Sequence, residues 1–496
     1  MARPRLLWSL FSILLGLGLV TDAGAGGSLP ERLESVLASR PLRRAKVAVL
    51  VERAADGKVL FARNPELALT PASNQKILTA IACLAAFGPT YRFETVVYAD
   101  RPLDADGEVG QLLVKGSGDP VLNSEDWWRI AAALRRDGLR RVRGDLVLDD
   151  SVFDRKRWHS SWGTVSARAY HAPVGALTAN YGAFSVTVEA GARQGDPVRV
   201  VIDPPVPYLQ LVNRAKTGSS RARRTLVVDR SAAPEREIVR VHGVVRAGDP
   251  PKMVYRSVLD PARYAGAVFR MQLAANGIEL EGAAQLGRIG NEAHELLRFK
   301  GRPLAEIVRL FVKYSNNAVA ESLVKAMGAS RTGGVGSWSS GTPAVRERLV
   351  SLGLDPADFV LVDGSGLSYR NKVTPRALVK ALRVAGDSFH FGPELISALP
   401  IAARDGTLED RAEGAAGVVR AKTGLLNGVA ALSGFAELGS GEDAVFSILV
   451  NGYRISDEEV MDALDRFVEE LVRPPAPRPA VQQAGESFQP GSKPAG

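Results

Sequence analysis

Ser73-Asn-Gln-Lys76 sets a hydroxyl and an amine three residues apart at the start of the apolar-periodic run from Ile77 to Phe87. Pro71 before it and Gly88 after it predict one helix with Ser73 in its first turn. Residues three apart share a helix face. A serine hydroxyl is a weak nucleophile until a neighbour takes its proton, and a desolvated lysine whose pKa has fallen can do so. The helix N-terminus adds backbone N–H groups and positive potential where an oxyanion would form.

Two further motifs supply what a Ser/Lys pair lacks. Ser315-Asn-Asn317 interrupts a helical pattern that runs from Leu304 to Leu323, which predicts a polar corner between two helices. There Ser315 can relay a proton to a leaving-group nitrogen, and Asn317 can hydrogen-bond a substrate amide. Lys422-Thr-Gly424 sits between an apolar run and the small-residue run Val429-Ala-Ala-Leu-Ser-Gly-Phe-Ala, which predicts two antiparallel strands and a tight turn. Lys422 and Thr423 can then meet a carboxylate. Gly424 lets a substrate lie close to the backbone, and the Leu425 N–H can pair with that of Ser73 as an oxyanion hole.

Alone, Ser73-Asn-Gln-Lys76 reads better as a helix cap with a surface lysine, and Ser315-Asn-Asn317 as a capping turn; the order and context of the three motifs reverse those odds. A second Lys-Thr-Gly, Lys216-Thr-Gly218, precedes the Ser-Asn-Asn motif and continues as Ser-Ser-Arg-Ala-Arg-Arg, which predicts a polar loop. It is set aside.

The remaining composition narrows the chemistry. The five histidines show no metal-ligand spacing, and neither a Gly-x-Ser-x-Gly elbow nor a His-Glu-x-x-His motif occurs, so neither a Ser-His-Asp hydrolase nor a zinc peptidase is supported. No cofactor is expected. The single cysteine, Cys83, falls in an apolar helix pattern and reads as a buried small hydrophobe. Arg3 and Arg5, the apolar stretch from Leu6 to Val20 and the small residues up to Ala25 read as an export signal over residues 1–25. Residues 473–496, rich in Pro and polar side chains, read as a disordered tail. The net charge of +9 would suit an anionic partner. Export argues against nucleic acid and for peripheral association with an anionic wall or membrane surface.

Beyond the three motifs stand Gly116-Ser-Gly-Asp-Pro120, Gly144-Asp-Leu-Val-Leu-Asp-Asp-Ser-Val-Phe153, Ala172-Pro-Val-Gly-Ala176, Tyr264-Ala-Gly266, Asp363-Gly-Ser-Gly-Leu-Ser368 and the block from Leu399 to Leu408. With these, nearly the whole chain resembles the class C low-molecular-mass penicillin-binding proteins, the type-4 D-alanyl-D-alanine carboxypeptidase/endopeptidase family. The resemblance implies an α+β serine β-lactamase/transpeptidase-like domain, an antiparallel sheet flanked by helices, interrupted by a large mainly-β insertion. The 242 residues between Ser73 and Ser315 leave room for it. The expected division is residues 26–96 and 292–472 for that domain and 97–291 for the insertion.

The implied partners are peptidoglycan stem peptides and β-lactam antibiotics. Catalysis would fall to Ser73, Lys76, Ser315 and Asn317, and substrate binding to Lys422, Thr423, Gly424 and Leu425. Two departures concern specificity. Family members commonly carry an Arg after the Asp-Gly-Ser-Gly-Leu-Ser block, where this chain has Tyr369 and then Arg370. Many also have an acid ahead of the Ala-Pro block, whereas Ser161-Trp-Gly-Thr-Val-Ser166 has none. A serine β-lactamase or esterase, and a non-catalytic wall-binding protein, are the other readings of the same motifs.

Overall fold

The computed structural model describes residues 27–474. The expected export signal, and all but the first two residues of the expected tail, lie outside the described residues.

Strand Lys46–Arg53 carries an almost unbroken apolar run because both of its faces are covered. Val47, Val49 and Val51 pack into one core, with Phe446, Phe467 and Leu471, whereas Ala48 and Leu50 pack into another, with Ile77, Leu78 and Leu378. This strand belongs to a five-stranded sheet in the order Val59–Arg63, Lys46–Arg53, Asp443–Asn451, Val429–Glu437, Val419–Leu426, with every neighbour antiparallel. Helices Leu29–Leu37 and Asp457–Val472 cover the first face. The second face meets a helical lobe that includes Gln75–Phe87, Leu304–Lys313, Asn317–Thr332 and Pro375–Gly386. Strand Val419–Leu426 is the free edge of the sheet, where it borders that lobe. This is the expected α+β arrangement.

The insertion is entered and left through one pair of strands, Arg92–Ala99 and His294–Pro303, which pair antiparallel. Both belong to a second five-stranded sheet built from insertion strands. This strand pair begins at Arg92 and ends at Pro303, so its sheet reaches beyond the expected span of 97–291. The mainly-β insertion also carries two helices. Helices Ser124–Arg136 and Pro261–Ala275 pack on one another, with Trp127 against Phe269 at a ring separation of 5.1 Å. Asn123 caps the first of them and accepts from the Asp126 N–H at 3.0 Å.

Residues 183–257 form smaller all-β sheets, one of them Lys252–Ser257, Ala183–Glu189 and Arg199–Asp203 side by side. Lys216–Gly218 also differs from expectation, since it is a short strand paired in parallel with Val244–Arg246 rather than a loop.

Candidate active site

Ser73 lies in the single 3-10 turn Ala72–Asn74, which runs directly into helix Gln75–Phe87. The helix proper starts two residues later than its periodicity suggests, yet the Ser/Lys spacing still works. Lys76 Nζ is 3.1 Å from Ser73 Oγ, 2.6 Å from Asn317 Oδ1 and 2.7 Å from the Ser365 carbonyl oxygen. A neutral amine has two N–H donors and one lone pair. If the donors go to the two carbonyl oxygens, the lone pair is left facing the Ser73 hydroxyl, which is the arrangement a base requires.

Burial favours that neutral form. Lys76 is fully enclosed, and desolvation brings its pKa down to about 7 against the opposing pull of the Glu321 and Asp363 carboxylates. Only the deprotonated amine can act as the base. The rate is therefore expected to be low in acid and to rise as pH passes upward through about 7, a limb that a kcat/KM profile would display.

Glu321 and Asp363 belong to none of the three motifs, and they hold the lysine's cradle. Glu321 accepts from Trp338 Nε1 at 2.7 Å, from the Ser365 N–H at 2.7 Å and from the Gly364 N–H at 3.1 Å, fixing the two peptide units that precede the one whose carbonyl faces Lys76. Burial and the nearby Asp363 raise its pKa. Asp363 accepts from the Gly366 and Ser368 N–H groups at 2.8 and 2.7 Å and from Trp162 Nε1 at 2.9 Å. Removing the Glu321 charge takes away an interaction that raises the Lys76 pKa. In Glu321→Gln the rising limb of kcat/KM is therefore expected to move to lower pH, whereas loss of packing alone would reduce the rate without moving the limb.

The Ser-Asn-Asn motif joins helices Leu304–Lys313 and Asn317–Thr332 as expected, with Ser315 in the left-handed region at φ 57°. Asn316 caps the second helix by accepting from the Val319 N–H at 3.1 Å. Asn317 uses both ends of its amide, Oδ1 toward Lys76 and Nδ2 as donor to the Tyr170 carbonyl at 2.9 Å. It therefore holds the Lys76 amine in place and pins the Tyr170 loop. A substrate amide would have to share these atoms. Ser315 Oγ has no hydrogen-bond partner among the described residues, which leaves it free to exchange a proton.

Strand Val419–Leu426 closes the other side. Ala421 sends its N–H outward from the sheet to the Pro400 carbonyl at 2.9 Å. By the two-residue alternation of a strand, Thr423 and Leu425 aim their N–H groups toward the same free edge. Gly424 is required for a reason other than substrate approach. A Cβ there would stand 2.7 Å from the Pro71 carbonyl oxygen and 3.2 Å from Ala72 Cβ, pushing the strand off the nucleophile's own turn. Lys422 is fully buried, donates to the Thr423 carbonyl at 2.7 Å, and has its pKa driven down by desolvation and by the Lys76 charge. Thr423 Oγ1 lies 2.7 Å from Thr407 Oγ1. Lys313 and Asp405, likewise outside the motifs, pair at 2.7 Å and tie the Leu399–Leu408 block to the lobe. No group of three His, Cys, Asp or Glu side chains that could hold a metal occurs among the described residues.

A buried Ser/Lys pair beneath a sheet edge, faced by a Ser-x-Asn corner and a Lys-Thr-Gly strand, defines a serine acyl-transfer enzyme of the β-lactam-recognising class. The D-Ala-D-Ala carboxypeptidase 3 (S13) family model matches residues 29–471, and the chain belongs to that family. It is 38% identical over 441 residues to a D-alanyl-D-alanine carboxypeptidase of Actinomadura sp. (strain R39), covering 86% of this chain and 81% of that protein. It is 27% identical over 425 residues to the D-alanyl-D-alanine carboxypeptidase DacB of Haemophilus influenzae, covering 83% of this chain and 87% of that one. Among solved structures, penicillin binding protein 4 (dacB) from Haemophilus influenzae superposes with a TM-score of 0.76 at 26% identity, over 88% of this chain and 98% of that one. The same protein is also known in complex with a β-lactam.

Proposed function

We propose that this chain cleaves D-alanyl-D-alanine and related D-Ala-D-X bonds in peptidoglycan stem peptides, acting as a serine-type carboxypeptidase and endopeptidase, and that β-lactams acylate the same serine. The observation that carries the reading is the enclosed Lys76 amine, 3.1 Å from Ser73 Oγ with its two other contacts taken by carbonyl oxygens.

Ser73 Oγ attacks the carbonyl of the penultimate D-Ala while its proton passes to Lys76 Nζ. The oxyanion is met by the N–H groups of Ser73 and Leu425. The tetrahedral carbon collapses, the C–N bond breaks and the leaving amine takes a proton through Ser315, leaving an ester on Ser73. Water then attacks that ester, and Ser73 regains its proton. A β-lactam follows the first half of this path, with its ring nitrogen as the leaving group. Digestion of purified muropeptides followed by mass spectrometry tests the reading, since it reports both the bond cut and the residue released. Intact D-Ala-D-Ala ends after prolonged digestion would refute it.

We infer export to the cell envelope and a peripheral hold on an anionic surface there. Residues 191–256 of the insertion hold thirteen Lys and Arg against six Asp and Glu, a local excess of seven positive charges within a chain of net +9. No helix among the described residues is long and apolar enough to cross a membrane.

The two departures bear on specificity. Tyr369 is half exposed and donates its hydroxyl to the Asn427 carbonyl at 3.2 Å, and Arg370 is exposed. With no Arg at the first of these positions and no acid after Trp162, a peptide with a free diaminopimelate end is expected to gain little over one with an amidated end. Absence of a desolvated charge pair shrinks such a preference by about tenfold or more. The measurement is kcat/KM on matched peptides. A strong preference that disappears in Arg370→Ala would show that Arg370 performs the binding instead.

A further inference from the structure

Beside the catalytic cleft a cavity of about 540 Å³ opens between the insertion and the lobe, and Asn316, the residue between Ser315 and Asn317, forms part of its wall. That volume is in the range of small-molecule sites, about 300–1,000 Å³. One wall is a face of the sheet formed by Lys252–Ser257, Ala183–Glu189 and Arg199–Asp203. Its register sets Tyr255, Ser185 and Asp203 opposite one another in one row, and Met253, Thr187 and Val201 in the next row on the same face. The opposite face carries Phe184, Val186 and Val188 and is buried in the insertion's core. The cavity face stays open, with Tyr255 58%, Met253 55% and Val201 43% exposed. An exposed aromatic ring beside a carboxylate and hydroxyls is a surface with both apolar and hydrogen-bonding character. It matches a pyranose ring, whose C–H face stacks on an aromatic ring while its hydroxyl and acetamido groups hydrogen-bond at the rim.

We propose that this cavity binds an N-acetylated amino sugar of the peptidoglycan glycan strand, so that the substrate is held by its sugar as well as by its peptide. The inference rests on the peptidase reading above. A four-residue stem spans at most about 14 Å when extended, so the sugar it hangs from must be gripped by residues bordering the cleft. The wall at Asn316 meets that requirement. Asp203 accepts from sugar hydroxyls, and Tyr255 supplies the stacking face.

The test compares kcat/KM on a free pentapeptide ending in D-Ala-D-Ala with the same peptide attached to its N-acetylglucosaminyl-N-acetylmuramyl disaccharide. The wild type is expected to favour the sugar-bearing form by about tenfold, from stacking plus hydrogen bonds. In Tyr255→Ser and in Asp203→Asn this advantage should vanish while the rate on free pentapeptide stays unchanged. A separate arm uses calorimetry of the disaccharide alone on Ser73→Ala protein. Binding is expected there, and the added Tyr255→Ser change should abolish it. Equal rates on the two substrates in wild type, an advantage that survives in Tyr255→Ser, or free pentapeptide displacing the disaccharide with equal affinity would each overturn the glycan site. Failure to cleave either substrate while the disaccharide still binds would overturn the peptidase reading and leave the sugar site standing.

Discussion

In Ser73→Ala, covalent labelling by benzylpenicillin is expected to disappear, and kcat/KM on a D-Ala-D-Ala peptide is expected to fall by about 10⁴-fold or more. The size follows from removing the hydroxyl that lies 3.1 Å from the Lys76 amine, without which no ester can form. Little else should change. Ser73 is half-buried at the start of its helix, and the Lys76 hydrogen bonds to Asn317 and Ser365 remain. Intact-mass measurement after exposure to the antibiotic gives the readout. An adduct that persists on the variant would place the nucleophile elsewhere.

The second large effect separates the two Lys-Thr-Gly triplets. Lys422→Ala is expected to lower kcat/KM by about 10²-fold or more, the scale of deleting one preorganised electrostatic interaction from a dry site. Lys422 is wholly enclosed beside Lys76, on the strand whose Gly424 abuts the nucleophile's turn. Lys216→Ala is expected to leave kcat/KM within about twofold of wild type, as substitutions of exposed residues away from special features do. Lys216 is exposed on a three-residue strand of the insertion. The reverse outcome would mean that the second triplet does the binding.

Much of this site is legible in the sequence because its chemistry is local. Ser73 and Lys76 are three apart on one helical stretch, and the Ser-Asn-Asn corner sits between two strongly periodic runs. Glu321 is harder to find because a lone Glu in a helix ordinarily faces water. The available signal is its place one turn after Asn317, between Ala320 and Ser322 on a helix buried on nearly all sides. Helix Ser124–Arg136 is masked for a different reason. Short β-rich runs stand on either side of it, although Asn123 and Asp126 spell a capping box ahead of an amphipathic run. That the second sheet reaches beyond residues 97–291 depends on strand Arg92–Ala99 pairing with His294–Pro303 about two hundred residues later, and no local pattern encodes a partner at that distance. The strand at Lys216–Gly218 is hidden in the same way, because its polar residues pair with Val244–Arg246 and not with a sequence neighbour.

The order of strands in the main sheet also decides which parts of the chain must meet before the site is complete. Strand Lys46–Arg53 has Asp443–Asn451 as a neighbour, and helix Leu29–Leu37 packs against Asp457–Val472, so the earliest and latest parts of the domain complete one another. Within the sheet the edge strand bearing Lys422 pairs with Val429–Glu437, which in turn pairs with Asp443–Asn451. The Ser73 turn and the sheet edge it needs are thus drawn from opposite ends of the chain. The insertion closes on itself through its own strand pair. Acylating power thus requires the last third of the chain as well as the first, because neither the Ser73 turn nor the Lys422 strand makes a site alone.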